Sequence, residues 1–283
     1  MSVGGEKVEK RKICIGLNES FGLSYAEQLR LIKRIGFDGF FTKDCPEISE
    51  LSALAQQLGL IYQSLHADFH RAAYIWRDGI RGSNAVISLM SAISTCAANK
   101  IPILVVHPFI GFDKPYLPTK QGLDIFRQCI DYAAEVGVNI AFENVEGQPY
   151  LEALMQTFRD YKNVGFCWDS GHELCYNKGT DMLALYGERL IATHLNDNLG
   201  ISGDNISPND DLHLLPFDGI TDWGSACERL KKCGYAGPLT FEVKTLSKPD
   251  RHENDNYAAM PLEKYLTEAF SRACKICSLL DEK

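Results

Sequence analysis

Eight short apolar runs, almost every one followed by a stretch of helical periodicity, recur along this chain, and that alternation restricts the possible folds more than any other feature. Strands are expected over Lys12–Leu17 and Gly39–Thr42, up to His66, after Pro102, over Asn139–Asn144, up to Asp169, up to His194 and over Leu239–Val243. Apolar side chains at helical spacing predict helices over Ser24–Ile35, Glu47–Leu58, Ser83–Asn99, Thr119–Val136, Tyr150–Tyr161, near Asp181–Glu188, over Asp222–Lys232 and over Pro261–Leu280. A polar loop runs from His66 to Gly82, and a longer one rich in Asp, Asn, Gly and Pro spans Asn196 to Thr221. Gly36, Gly59, Gly137 and Gly234 stand where helices hand over to strands, a place that favours a residue able to adopt the left-handed conformation. The pattern predicts a single (β/α)8 barrel over residues 12–283 behind a polar tail over residues 1–11. An open doubly wound sheet fits less well, because no G-x-G-x-x-G follows the first strand.

At 283 residues the chain has the length of one such barrel. Its 29 basic and 37 acidic residues leave a net charge of −8, which argues against a general polyanion-binding surface, so nucleic acid is not the expected partner. No apolar run approaches the roughly 18 residues of a membrane span. The first dozen residues lack the apolar core of a signal peptide, so the expected address is the cytoplasm. Ten cysteines are present; Cys14, Cys96, Cys129 and Cys167 fall inside apolar patterns and read as reduced packing residues. Cys274 and Cys277, a lone C-x-x-C in a helical segment, read the same way. Self-association into a homo-oligomer is left open.

Six of the runs end in chemistry-bearing residues: His66, His107, Glu143, Asp169, His194 and Glu242. In a closed parallel barrel, strand ends converge on one mouth, where barrel enzymes keep their active sites. Three carboxylates and one imidazole, Glu143, Asp169, His194 and Glu242, suit a divalent ion, with Mn²⁺ or Zn²⁺ first and Mg²⁺ or Co²⁺ as further options. Taken singly, each residue has an ordinary alternative, such as a helix cap or a hydrogen-bonded core histidine. Four at successive strand ends point to a shared task.

The motifs carrying these residues are Ser64-Leu65-His66-Ala67, Val106-His107-Pro108, Phe142-Glu143-Asn144, Asp169-Ser170-Gly171-His172, His194-Leu195-Asn196-Asp197-Asn198, Asp211-Leu212-His213, Pro216-Phe217-Asp218-Gly219, Asp222-Trp223 and Phe241-Glu242. In this order the chain resembles the xylose isomerase-like TIM-barrel superfamily, which holds sugar epimerases and isomerases, inosose dehydratases and type IV apurinic endonucleases. The resemblance covers essentially the whole chain. It implies that Glu143, Asp169, His194 and Glu242 bind one metal ion, and that Glu143 and Glu242 double as an acid–base pair acting through a metal-stabilised enediolate. It further implies that His172 binds a substrate oxygen, with His66, His107 and Trp223 as other substrate contacts.

The resemblance also reaches the larger ligand set of the apurinic endonucleases, with His66, His107, His172, Asp211 and His213 as additional metal ligands. The expected function is a metal-dependent isomerase or epimerase of a sugar, polyol or sugar phosphate, with a small carbohydrate as partner. A dehydratase or lyase on a related compound and an endonuclease-like phosphodiesterase are the alternatives. The chain departs from the ketose 3-epimerase pattern at Gly200, where those enzymes carry a substrate-binding Arg. Arg71, Arg77 and Arg81 are candidates for a phosphate or carboxylate. Phe69, Tyr74, Trp76, Phe109 and Phe112 join Trp223 as candidate aromatic walls.

Overall fold

The computed structural model describes residues 11–77, 79–112 and 114–282. Of the tail expected over residues 1–11, all but Arg11 lies outside the described residues. Strands β1 (Ile13–Gly16), β2 (Gly39–Lys43), β3 (Ile61–His66), β4 (Ile103–Val106), β5 (Asn139–Glu143), β6 (Val164–Asp169), β7 (Leu190–His194) and β8 (Leu239–Phe241) form one parallel sheet, in the order β7-β6-β5-β4-β3-β2-β1-β8. A parallel bridge between Leu195 and Phe241 joins the two ends. There Leu195 N–H donates to the Thr240 carbonyl at 2.8 Å, and Glu242 N–H donates to the Leu195 carbonyl at 3.1 Å. The result is the expected (β/α)8 barrel.

Helices α1 (Tyr25–Ile35), α2 (Ile48–Leu58), α3 (Ile80–Ala98), α4 (Lys120–Glu135), α5 (Gln148–Thr157), α6 (Ser170–Cys175), α7 (Met182–Tyr186), α8 (Trp223–Lys232), α9 (Asp255–Ala258) and α10 (Leu262–Asp281) complete the chain. The long ones bury one stripe each, such as Leu29 and Ile32 on α1 and Leu266, Ala269, Ala273 and Ile276 on α10. Each Leu or Ile so buried contributes about 1.5–3 kcal/mol. Helix α1 begins in a capping box, with Ser24 accepting from Glu27 N–H and Glu27 accepting from Ser24 N–H. Among the described residues no helix is long and apolar enough to cross a membrane, and all ten cysteines are free thiols.

Inside the barrel, Val105, Ala141, Cys167 and Ala192 pack into a small apolar plug. Side chains along a strand return to the same face every second residue. His107, Glu143, Asp169 and His194 each follow a plug residue by two and therefore stand on top of it. The same rule places Lys43 two residues beyond Phe41, whose ring stacks on His194 at 4.5 Å between centroids. Gly16 makes room for that ring, since a Cβ there would come within 2.6 Å of Phe41.

Several element ends differ from expectation by a few residues; α5, for one, spans Gln148–Thr157 where Tyr150–Tyr161 is expected. Helix α3 starts at Ile80, ahead of Ser83, because Gly82 acts as a packing residue: a Cβ on it would lie 2.6 Å from the Arg77 carbonyl oxygen. The preceding loop contains a 3₁₀ turn over Ala72–Trp76. Strand β8 stops at Phe241, after which the backbone turns to Leu195 and His213, with Lys244 N–H donating to the His213 carbonyl at 3.0 Å.

Candidate metal centre

The strand ends bring Glu143, Asp169, His194 and Glu242 together with ligand atoms within 4.8 Å of one another. His194 Nδ1 lies 3.1 Å from Glu143 Oε1 and 3.1 Å from Glu242 Oε2. Two further groups flank this one. His66 Nε2 and His107 Nε2 each approach Glu143 Oε2 at 3.3 Å. On the other side, Asp211 meets His172 Nε2 at 3.4 Å and His213 Nε2 at 3.0 Å. Glu143 thus belongs to more than one group, and its side chain is fully buried, whereas that of Glu242 is 14% exposed.

Hydrogen bonds behind these residues set their orientation. His66 Nδ1–H donates to the Ala67 carbonyl at 2.8 Å, which in the neutral ring turns the Nε2 lone pair toward Glu143. Glu143 Oε2 has no hydrogen-bond donor, nor has Asp211 Oδ1, whose contact with His172 Nε2 at 3.4 Å is an ion-pair distance only. Lone pairs and carboxylates that face one another, buried, call for a cation between them. The donor set therefore fits a divalent ion.

Asp169 has a second task. It is the N-cap of α6, accepting from His172 N–H at 2.7 Å, and Asn196 Nδ2 donates to both of its oxygens at 3.2 and 3.0 Å. Asn144 locks the same strand end, accepting from Asp169 N–H at 2.8 Å and donating to the Asp169 carbonyl at 2.8 Å.

Charge in the cluster is finely balanced. Burial and the neighbouring Glu143 outweigh the pull of His172 and lift Asp169 to about 6. Burial lowers His107 to about 4, which leaves its ring neutral and able to donate a lone pair. Burial would also raise Glu143, but His194 and His107 hold it well below the usual carboxylate range. Burial opposes a charge on His194, yet Cys167 and Glu143 raise it well above the ordinary value. A proton on that imidazole occupies the place a metal cation would take.

Above the cluster opens a cleft of about 200 Å³, whose lining includes Phe69, His107, Phe112, His172, Tyr176 and Glu242. Phe69 stacks on His107 at 4.7 Å. Trp223, expected to bind substrate, does not line this cleft. It is buried as the first residue of α8, and its indole N–H donates to Asp197 Oδ2 at 3.0 Å. Trp76 and Phe109 are also core residues, each packed on Tyr150, and Arg71, Arg77 and Arg81 are exposed and outside the cleft lining.

Sequence reasoning quoted Asn196 and Asp197 within a motif but gave neither a role. Both are fully buried polar residues, and the signal available was a polar triplet one residue after the end of β7.

A family model described as the xylose isomerase-like TIM barrel matches residues 29–264. The chain belongs to that family. Among relatives of this xylose isomerase-like barrel, an uncharacterized protein of Sinorhizobium fredii, y4fM, is 33% identical over 201 residues. That match covers 65% of this chain and 62% of the relative, so the chain spans less than two thirds of that protein's length. The IolI protein, solved with a bound zinc atom, superposes with a TM-score of 0.74 at 18% identity, covering 94% of this chain and 98% of IolI. D-Psicose 3-epimerase of Clostridium cellulolyticum H10, solved with D-tagatose, gives a TM-score of 0.67 at 14% identity, covering 93% and 99%. Sugar epimerases are therefore among the proteins that share this fold.

Proposed function

We propose that the protein is a divalent-metal-dependent isomerase or epimerase of a sugar or polyol, free or phosphorylated, which moves a proton at a carbon next to a carbonyl. The observation that carries this reading is the pair of carboxylates, Glu143 and Glu242, each 3.1 Å from one imidazole at the base of the cleft. Glu143, Asp169, His194 and Glu242 would hold the ion. When bound, it supplies the Lewis acidity that stabilises negative charge developing on the substrate oxygens.

The residues divide the remaining work. Glu242 stands in the cleft wall and takes the proton from the substrate. Glu143 is its partner, buried beneath the cleft behind His66 and His107. His172 lines the cleft and orients a substrate oxygen, its ring fixed by the bond from Nδ1–H to the Asn144 carbonyl at 3.0 Å. Phe69 and Phe112 exclude water from the apolar face of the sugar.

The test is incubation with a panel of ketoses, inososes and sugar phosphates in D₂O, read by NMR. Deuterium is expected to enter one C–H bond of the true substrate, with a stereoisomer or carbonyl isomer as product. A dehydrated product would make the enzyme a lyase using the same base. The sharing of Glu143 between groups, with His172, Asp211 and His213 beside it, favours a phosphodiesterase as the second reading. Metal-dependent cutting of an abasic duplex, with no sugar exchanging, would replace the first reading with this one. The net charge of −8 weighs against it.

Asn196 gives a second test. A Cβ on Gly171 would overlap the Asn196 side-chain oxygen, so Gly171→Ala should push away the amide that steadies Asp169. Metal affinity, measured by competition with a chelator, is expected to fall about 10–100-fold. Affinity equal to wild type would remove Asn196 from the support of the metal site.

A further inference from the structure

The cleft does not end at Glu242. Lys43, Glu242 and Lys244 also line a second, smaller cavity of about 90 Å³, backed by Gly16, Leu17 and Asn18. These three side chains form the partition between the two spaces. We infer that Lys43 and Lys244 are an anion-binding pair that holds an oxyanion of the substrate, a phosphate or a carboxylate, at this partition. The inference rests on the sugar isomerase reading and narrows it to anionic substrates.

Strand alternation brings in Lys43, and the turn that follows β8 brings in Lys244. Lys43 follows Phe41 by two residues at the end of β2, level with His66 on β3. Lys244 follows Glu242 by two, and its backbone is held at both ends: its N–H donates to the His213 carbonyl, and Tyr265 Oη–H donates to its carbonyl at 2.9 Å. Position is therefore imposed by the barrel, while the ammonium groups stay free to move.

Neither ammonium is well neutralised. Lys43 Nζ sits over the Phe69 ring at 5.1 Å and makes no salt bridge among the described residues. Lys244 Nζ reaches only Asp211 Oδ2, at 4.0 Å. That oxygen is already taken by His213 at 3.0 Å and by Lys248 at 3.4 Å. Lys248 also donates to the Pro208 carbonyl at 2.9 Å, so it is engaged in holding the loop.

Of the acidic groups near by, Glu242 stands in the same partition but is turned to His194 at 3.1 Å, Glu146 accepts from Gly111 N–H at 2.8 Å, and Glu19 faces the smaller cavity. A neutral sugar filling the cleft would strip water from two ammonium groups and offer no charge in return. An oxyanion on the substrate supplies that charge through two charge-assisted hydrogen bonds.

The experiment measures binding of inorganic phosphate and of acetate by calorimetry to the metal-loaded protein and to Lys43→Gln, Lys244→Gln and the double variant. Circular dichroism and melting temperature check that each variant is folded. Wild type is expected to bind one of the two anions in the millimolar range, roughly tenfold more tightly than either single variant. Tighter phosphate identifies a phosphoryl group on the substrate, and tighter acetate a sugar acid. Binding that is unchanged in the double variant, as for an anion held by the metal alone, overturns the proposal, and so does a wild type that binds neither anion at tens of millimolar. Failure of the isomerase reading has a different signature: anion binding persists, but no sugar in D₂O exchanges a proton.

Discussion

Replacing Glu242 with Gln should lower kcat by about 10²–10⁴-fold while leaving the metal in place. Gln keeps an oxygen that can face the cation but has no basic carboxylate, so the loss falls on the step in which the proton leaves the substrate. In free energy that is about 3–5 kcal/mol of transition-state stabilisation. KM should change little, because the missing group acts in the transition state more than in substrate binding. Glu143→Gln should be as slow for a further reason. Its oxygens meet His66, His107 and His194, so one neutral amide disturbs several contacts and metal occupancy should fall with turnover. Steady-state kinetics with metal analysis of each variant separates the two cases. A Glu242→Gln protein that turns over its substrate at near wild-type rate would exclude the paired-carboxylate mechanism.

The second large effect is on stability, at a residue distant from the proton transfer. Asp197→Ala is expected to cost about 3–5 kcal/mol, since it removes a buried charge from its hydrogen-bonded partners. Asp197 is fully buried and accepts from Phe217 N–H at 2.8 Å, Thr221 N–H at 3.0 Å, Thr221 Oγ1–H at 2.6 Å and Trp223 Nε1–H at 3.0 Å. Alanine leaves these donors without an acceptor. For a chain of this size the melting temperature should drop on the order of 10 °C, read by calorimetry on metal-loaded protein. Asp197→Asn retains the volume but turns an amide toward the donors, so it should recover only part of the loss. A shift of a degree or two for the alanine variant would show that the loop closes without this carboxylate.

The barrel was legible because its strands are buried on both faces and read as apolar runs, and because left-handed glycines such as Gly59, Gly137 and Gly234 mark helix ends. Strands β3, β6 and β7 end on His66, Asp169 and His194 as the sequence predicts. Helix α6 was not legible: six residues are too few for a period, and its cap is Asp169 itself, already assigned to chemistry. Trp223 was misread because an aromatic beside functional motifs looks the same whether it faces a ligand or secures a loop. Lys43 and Lys244 were overlooked because a lysine at or just past a strand end is usually solvated.

Asp197 gathers the far end of the Asn196–Thr221 segment back to its beginning, so the chain leaves the barrel and returns almost to the point of departure. The middle, over residues 200–207, holds no buried residue and is exposed over 202–205, with Asn198 and Asp210 tying its base. Evolution can therefore lengthen, shorten or rewrite this excursion without moving the strand ends on either side. This freedom stops at Pro208, because Pro208, Asp211 and His213 of the same segment line the cleft.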